Sequence, residues 1–409
     1  MSMQSAAPVS PASQSPRPSM RNLRRQFPHN ISQAESTSRL YGIAEHFEVS
    51  EAELLATRCG DTVTRLHARC WSELVRELPK LGCVTALTRN RHAVHKKTGT
   101  YRNRNTPCMD AQVPPEAGRK NAPAFSTNPL ASLSPSMAVG CRKRPRNTAN
   151  AAGEIAPQLF LHHWQSGFGV VEEINVGQHL TLRRSLQFFD PAGTVVHKVF
   201  LMEDSNHDAY ETLVKHFTSA DQSPEQRVSL VPKPLRQQRD SDIDIKGLRA
   251  YWHALRDARD FASGFNGMLE RFGVIPIQAL RLVGNDLAYR VAPTGFRQLM
   301  EVIVELGLPI TVSVGSSGVT QTHTGLIHDL HTVGSWLSVR EPGFVLYLRE
   351  DRIHTAWVVK KPSADGMVAA LELYDAKGEN IAVLTGAGQA WAEVWRDAVS
   401  TLRPLDPAS

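Results

Sequence analysis

The sequence predicts an α+β protein made by internal duplication, two similar halves that are each an antiparallel β-sheet flanked by helices. Three pairs of matching stretches carry that reading. SLQFFDPAGTVVHKVFL, from Ser185 to Leu201, and ALELYDAKGENIAVL, from Ala370, both alternate apolar and polar residues around an Asp-x-x-Gly turn. This is the pattern of a half-buried antiparallel hairpin. HFEVSEAELLATRCGD, from His46, lines up with RFGVIPIQALRLVGND, from Arg271, at an offset of 225 residues. HAVHKKTG, ending at Gly99, lines up with GVTQTHTG, ending at Gly325, at an offset of 226. The blocks keep their order, which is the mark of a repeat. The hairpin offset is 185, so the first half carries 41 extra residues between Gly99 and Ser185.

Composition sets the bounds. The chain has 409 residues, 41% of them hydrophobic, enough for two cores of ordinary domain size. It shows neither an apolar run of membrane-spanning length nor a secretory signal, so a cytoplasmic location is expected. Its five cysteines (Cys59, Cys70, Cys83, Cys108, Cys141) form no Cys-x-x-Cys pair and indicate neither a disulfide framework nor a cysteine zinc site. The net charge of +6 is concentrated in residues 1–38, at +3, and 106–153, at +4, which leaves the remaining body at −1. The same two segments hold 12 of the 25 prolines, so the charge marks solvated segments and no nucleic-acid partner is expected.

In chain order, residues 1–37 read as a disordered tail and 38–217 as the first half. Ser50 with Glu53 three residues on predicts a capping box opening a helix. A second helix is expected from about Thr64 to Leu81, followed by strands in CVTALTRN and HAVHKKTGTYRN. Residues 105–153 read as an inserted basic, Pro-rich loop. IAPQLFLHHW is expected to be helical, and another helix is expected near Asp208 to Phe217. Residues 218–244 read as a linker and 245–405 as the second half. That half begins with one long helix, GLRAYWHALRDARDFASGFNGMLERFG, with Trp252, Leu255, Phe261 and Met268 toward a core. A last helix, QAWAEVWRDAVSTL, is expected to pack Trp391, Val394, Trp395 and Val399 on the body.

The residues alone offer little chemistry. His92 with His95, His162 with His163 and His328 with His331 are close pairs, but no acidic third ligand recurs beside them, so no metal site is expected. Gly-rich phosphate loops and nucleophile elbows are absent from the sequence.

TRNRHAVHKKTGTYRN, LQFFDPAGTVVHKV, WHALRDARDF, AWVVKKPSADGMV and LELYDAKGENIA resemble the cytoplasmic hemin-degrading and hemin-transport family (HemS/ChuS/HmuS type) over nearly all of residues 38–400 except the insertion. The resemblance implies haem as cofactor, held between two similar halves, and a role in using haem as an iron source. It also implies an inner-membrane haem importer as a partner on its cytoplasmic side. The family places an axial histidine within a Trp-to-Phe pattern of the long helix, where this chain has Arg259 between Trp252 and Phe261. A guanidinium has no lone pair for iron. The usual arginine before Leu-Phe-Leu is Gln158. A usual basic residue is Pro276, and the positions after the last hairpin are Val383, Thr385 and Gly388. Lys361 matches a lysine suited to a propionate, and His95 matches a second histidine of some members that could reach haem iron. His162, one helical turn from Gln158, is a further candidate. The family includes haem-degrading members, and Arg259 leaves degradation by this chain open. The readings are therefore a haem-binding, haem-utilising protein with an altered ligand position, or a non-catalytic paralogue keeping the scaffold for a protein or another planar ligand.

Overall fold

The computed structural model describes residues 42–67, 71–102, 153–176, 179–229, 238–255, 261–363 and 366–405. The expected tail, nearly all of the expected insertion, part of the expected linker and Arg259 lie outside these residues. The first half runs α1 (Glu51–Ala56), β1 (Val63–Arg65), α2 (Trp71–Glu77), β2 (Cys83–Arg89), β3 (Ala93–Tyr101), β4 (Gly153–Ile155), β5 (Gln158–Leu159), β6 (Ser166–Val176), β7 (His179–Phe189), β8 (Val195–Leu201) and α3 (His207–His216). Then come α4 (Ile245–Ala254), α5 (Phe261–Phe272), α6 (Pro276–Leu282), β9 (Ala288–Val291), α7 (Gly295–Leu306), β10 (Ile310–Gly315) and β11 (Val319–Gly325). The chain closes with β12 (His331–Val333), β13 (Trp336–Glu341), β14 (Phe344–Arg349), β15 (Thr355–Ser363), β16 (Gly366–Tyr374), β17 (Asn380–Gly386) and α8 (Ala392–Ser400).

Two sheets of matching topology bear out the duplication. The ten-stranded sheet runs β1-β6-β7-β8-β2-β3 and the seven-stranded sheet β9-β15-β16-β17-β10-β11, the same order in repeat-equivalent strands. Each then continues with strands from the other half. β14, β13 and β12 extend the first sheet beyond β3, while β5 extends the second beyond β11. The exchange is reciprocal, because in each half it is the connection after the HAVHKKTG or GVTQTHTG strand that crosses over. Strand pairing is antiparallel throughout these paths, and β4 pairs with β3 in parallel.

The two Asp-x-x-Gly hairpins are alike bond for bond. The Asp190 carboxylate accepts from the amides of Ala192 and Thr194, and the Asp375 carboxylate from Lys377 and Glu379. Gly193 and Gly378 sit at φ +76° and +77°, in the left-handed region that a side chain makes costly. Both hairpins slip register one step before the turn, at Phe188/Phe189 and Leu373/Tyr374. Register also refines the length of the insertion. Gln187 pairs with Phe168 where Glu372 pairs with Trp357, an offset of 189 on β6 and β15. Four of the extra residues thus lengthen the β6–β7 hairpin and the others lie before β6.

The capping box forms as expected. The Glu53 amide donates to Ser50 Oγ at 3.2 Å and the Ser50 amide to Glu53 Oε2 at 2.8 Å. Three helix expectations need correction. Residues 63–65 pair with β6 as a strand, and α2 begins only at Trp71, where Trp71, Leu74 and Leu78 meet the core. IAPQLFLHHW is not a helix: β4 ends in it, Gln158–Leu159 pairs with β11, and Leu161–His163 is a single 3-10 turn. Its apolar residues answer to two sheets, which overrides their helical spacing. The long helix is divided into α4 and α5, with 256–260 outside the described residues. At the C-terminus Trp395 and Val399 are buried as expected, whereas Trp391 and Val394 are each 39% exposed.

The sheets cross where β2 and β3 meet β10 and β11. A buried chain of hydrogen bonds fastens the crossing. Gln321 Nε2 donates to the Ala86 carbonyl at 3.1 Å, Thr88 Oγ1 donates to Gln321 Oε1 at 2.9 Å, and His197 Nδ1 lies 2.9 Å from Thr88 Oγ1. Thr88 has spent its proton on Gln321, so His197 carries its own on Nδ1, and Nε2 accepts from Tyr101 at 2.6 Å.

Candidate site on the outer face of the second sheet

Register brings the family-position residues together on one face of the second sheet. One row across it reads Thr322, Ser313, Val383, Glu372 and Trp357, and the next reads Thr324, Thr311, Thr385, Ala370 and Val359. Gln158 of β5 pairs with Thr320 on the same face, and Lys361 follows Val359 two residues on. Gln158 reaches this face only because β5 crosses from the first half. α4, α5 and α6 cover the Trp357 end, where Trp252 Nε1 donates to the Lys360 carbonyl at 3.1 Å. Pro276 is the first residue of α6, a position where its missing amide costs nothing.

The face is built of hydroxyls and one internal ion pair. Thr311 bonds Thr324 at 2.8 Å and Ser313 bonds Thr322 at 3.0 Å, a ladder across β10 and β11. Lys361 Nζ donates to Glu372, which also accepts from the Tyr374 hydroxyl. Burial lowers the Lys361 pKa and Glu372 opposes the shift, while burial raises that of Tyr374. The lysine's charge is thus balanced within the protein. Five buried polar atoms on this face have no hydrogen-bond partner: Gln158 Oε1, Thr320 Oγ1, Thr355 Oγ1, Trp357 Nε1 and Thr385 Oγ1. Buried polar atoms are nearly always satisfied, so such a group points to a ligand or ordered water at this surface.

The other sequence candidates fall elsewhere. His95 is fully buried on the opposite side of the first sheet, with its ring 4.9 Å from that of Phe344 and both ring nitrogens unpartnered. Burial and the neighbouring His323 and Lys97 hold its pKa well below the ordinary value. His162 is exposed in the 3-10 turn after β5, not one helical turn from Gln158. Arg259 lies outside the described residues. Sequence reading missed the hydroxyl ladder and Glu372. The Thr/Ser alternation in ITVSVG and VTQTHTG is the signal that could have found the ladder.

The fold defines a class of protein, a duplicated α+β scaffold with exchanged edge strands, and comparison with known proteins says which one. Residues 64–213 match the family described as "Haem utilisation ChuX/HutX" and residues 273–402 match "Haemin-degrading HemS.ChuX domain". The chain is 31% identical to the hemin transport protein HemS of Yersinia enterocolitica, covering 88% of this chain and 92% of that one. Among solved structures it resembles holo-PhuS, a heme-binding protein from Pseudomonas aeruginosa, at 31% identity and TM-score 0.74, over 94% of this chain and 98% of that one. It also resembles the heme degrading enzyme ChuS of Escherichia coli O157:H7, at 26% identity and TM-score 0.68, over 91% and 97%. The chain belongs to the HemS/ChuS family of haem-utilisation proteins.

Among the described residues no helix is long and apolar enough to cross a membrane. None of the described residues of this face is a histidine. The described residues of the face combine apolar surface at Ala370 and Val383 with unpartnered hydroxyl and indole groups.

Proposed function

We propose that this protein binds and passes on haem in the cytoplasm during iron acquisition, receiving it from an inner-membrane importer, and that the haem lies against the outer face of the second sheet. The single observation that carries this is the convergence of unpartnered buried atoms from β5, β11, β15 and β17 on one face. Haem supplies iron chemistry when bound. The chain's own residues give the ring a flat seat and offer its propionates the hydroxyls of Thr320 and Thr385. By sequence Arg259 stands at the family's ligand position, so the iron is held differently from the histidine-ligated pattern, since ligand identity is the protein's main lever on haem chemistry.

Hemin titration of the full chain tests the reading. A saturating one-to-one Soret shift is expected, Thr385→Val is expected to weaken binding several-fold, and Arg259→His is expected to tighten it and move the spectrum toward a histidine-ligated haem. Absence of any shift at micromolar hemin favours the other reading, a non-catalytic paralogue that keeps the scaffold for a protein or another planar ligand.

A further inference from the structure

The first sheet has a copy of the same outer face, and it is furnished differently. Gln187, Lys198, Leu87 and Lys96 form one row across β7, β8, β2 and β3. At the repeat offset Lys198 stands where Val383 stands in the second sheet. Arg183 and Glu172 lie two strand steps along on β7 and β6 and are ion-paired at 2.7 Å. Arg89, two residues from Leu87, is ion-paired to Glu51 of α1. Both carboxylates near Lys198 are thus already engaged by arginines.

That leaves two lysines over. Lys96 Nζ lies 5.8 Å from the centroid of the Tyr347 ring, with burial and then Arg183 lowering its pKa. Lys198 is 3% exposed, and among the described residues it is held by no hydrogen bond or direct ion pair, only by the charges of Glu51 and Glu172 at longer range. Burial brings its pKa down to about 8. Lys198 stands beside two arginines and a second lysine, so among the described residues four cations share this surface with the two carboxylates Glu51 and Glu172. Among the described residues α1 covers the Phe168, Phe189 and Val195 end of this face and reaches Arg89 through Glu51. Thr85, Lys96, Thr98, Phe200 and Tyr347 are half-buried and form a rim open to solvent, and the Arg183 guanidinium lies 4.9 Å over the Phe200 ring.

We propose that the outer face of the first sheet is a second ligand site, independent of the haem face, that binds a small oxyanion of carboxylate or phosphate type between Lys198, Lys96 and Arg183. The anion adds to the counter-charge that Glu51 and Glu172, each ion-paired to an arginine, only partly give Lys198. Charge-assisted bonds from several buried donors are the strong kind, and the two aromatic rings limit the competition from water.

Calorimetry and thermal unfolding of the full chain at constant ionic strength, with succinate and inorganic phosphate as probes and chloride as control, test this. A saturable rise in melting temperature of about 2 °C or more is expected with at least one probe. Response to succinate alone assigns a carboxylate ligand, and response to phosphate assigns a phosphate group. Lys198→Met is expected to melt higher than the parent without anion and to lose the response, and Lys96→Gln on the open rim to weaken affinity about tenfold. If Lys198→Met does not fold, Lys96→Gln carries the test. No saturable response to either probe, or an undiminished response in these variants, overturns the proposal.

Discussion

The same six-strand order builds two outer faces, and they handle charge in opposite ways. On the second sheet Lys361 is matched by Glu372, and the other described residues of the surface are uncharged, hydroxyls and methyls with the Gln158 amide and the Trp357 indole. Among the described residues of the first sheet four cations face two carboxylates, and both carboxylates are ion-paired to arginines instead of to Lys198. Backbone topology is common property of the repeat, so the difference lies wholly in side chains at equivalent register. Duplication fixed where groups can stand and left open which surface carries charge.

The sharpest way to break this contrast is to remove each buried lysine in turn. Lys361→Met leaves Glu372 buried with only Tyr374 as partner, and such a broken pair costs about 3–5 kcal/mol. Lys198→Met removes an uncompensated charge and should stabilise. Urea denaturation of both variants reads the sign, and shifts in one direction would show that the two lysines are equivalent after all.

Acid acts on the region between the faces. Burial holds His197 at about 3 and His323 at about 4, and holds His95 well below its ordinary value. Each is neutral when folded but takes a proton near 6.5 when unfolded, so the unfolded chain binds more protons below that pH. Stability should be complete above pH 6.5 and fall as pH drops toward 4, read as the melting temperature. Lys198 has the same sign in a higher window. Its folded pKa of about 8 lies below its unfolded value, so the parent gains stability as pH rises above 8 and the advantage of Lys198→Met over it should shrink. Glu51, Arg89, Glu172, Arg183 and Lys96 are the charged groups that face it. Matching pH profiles of parent and variant would mean that Lys198 is not buried as a charge.

Smaller effects separate the hairpins. Alanine at either turn glycine meets left-handed backbone, at roughly 1–3 kcal/mol. At Gly193 its Cβ also collides with the Ser50 cap and comes 2.9 Å from Val228, while at Gly378 it meets Ile277 at 3.2 Å, so Gly193→Ala should cost more. Smallest of all, deleting 107–152 should shift the denaturation midpoint by less than about 1 kcal/mol, because β4 returns beside β3 at Gly99 and the four remaining residues, 103–106, span the gap. A large loss of stability would make the insertion part of the core.

Much of the architecture was legible because a period-2 pattern and an Asp-x-x-Gly turn are local signals, and their recurrence at a fixed offset exposed the duplication. The exchange of β5 and β12–β14 was not legible, since nothing local in QL or FVLYLR says which sheet it joins. That one gap produced the helical reading of IAPQLFLHHW and the grouping of His162 with Gln158. It also hid His95, whose neighbours Phe344 and His323 come from the distant half. The partner of Lys361 was missed for a different reason: Glu372 stands on the adjoining strand of the same hairpin, and such a neighbour can be read only once register is known.

Because each sheet borrows its outermost strands from the opposite half, neither half closes on its own. Cut in two, the first would bare the long edge of β3 and the second that of β11, two backbone ladders primed to capture any extended chain. A molecule stitched in this way should be inherited and folded whole. Its single-repeat forebear is most simply pictured as a pair of chains trading the same strands, with the present covalent link making the trade permanent.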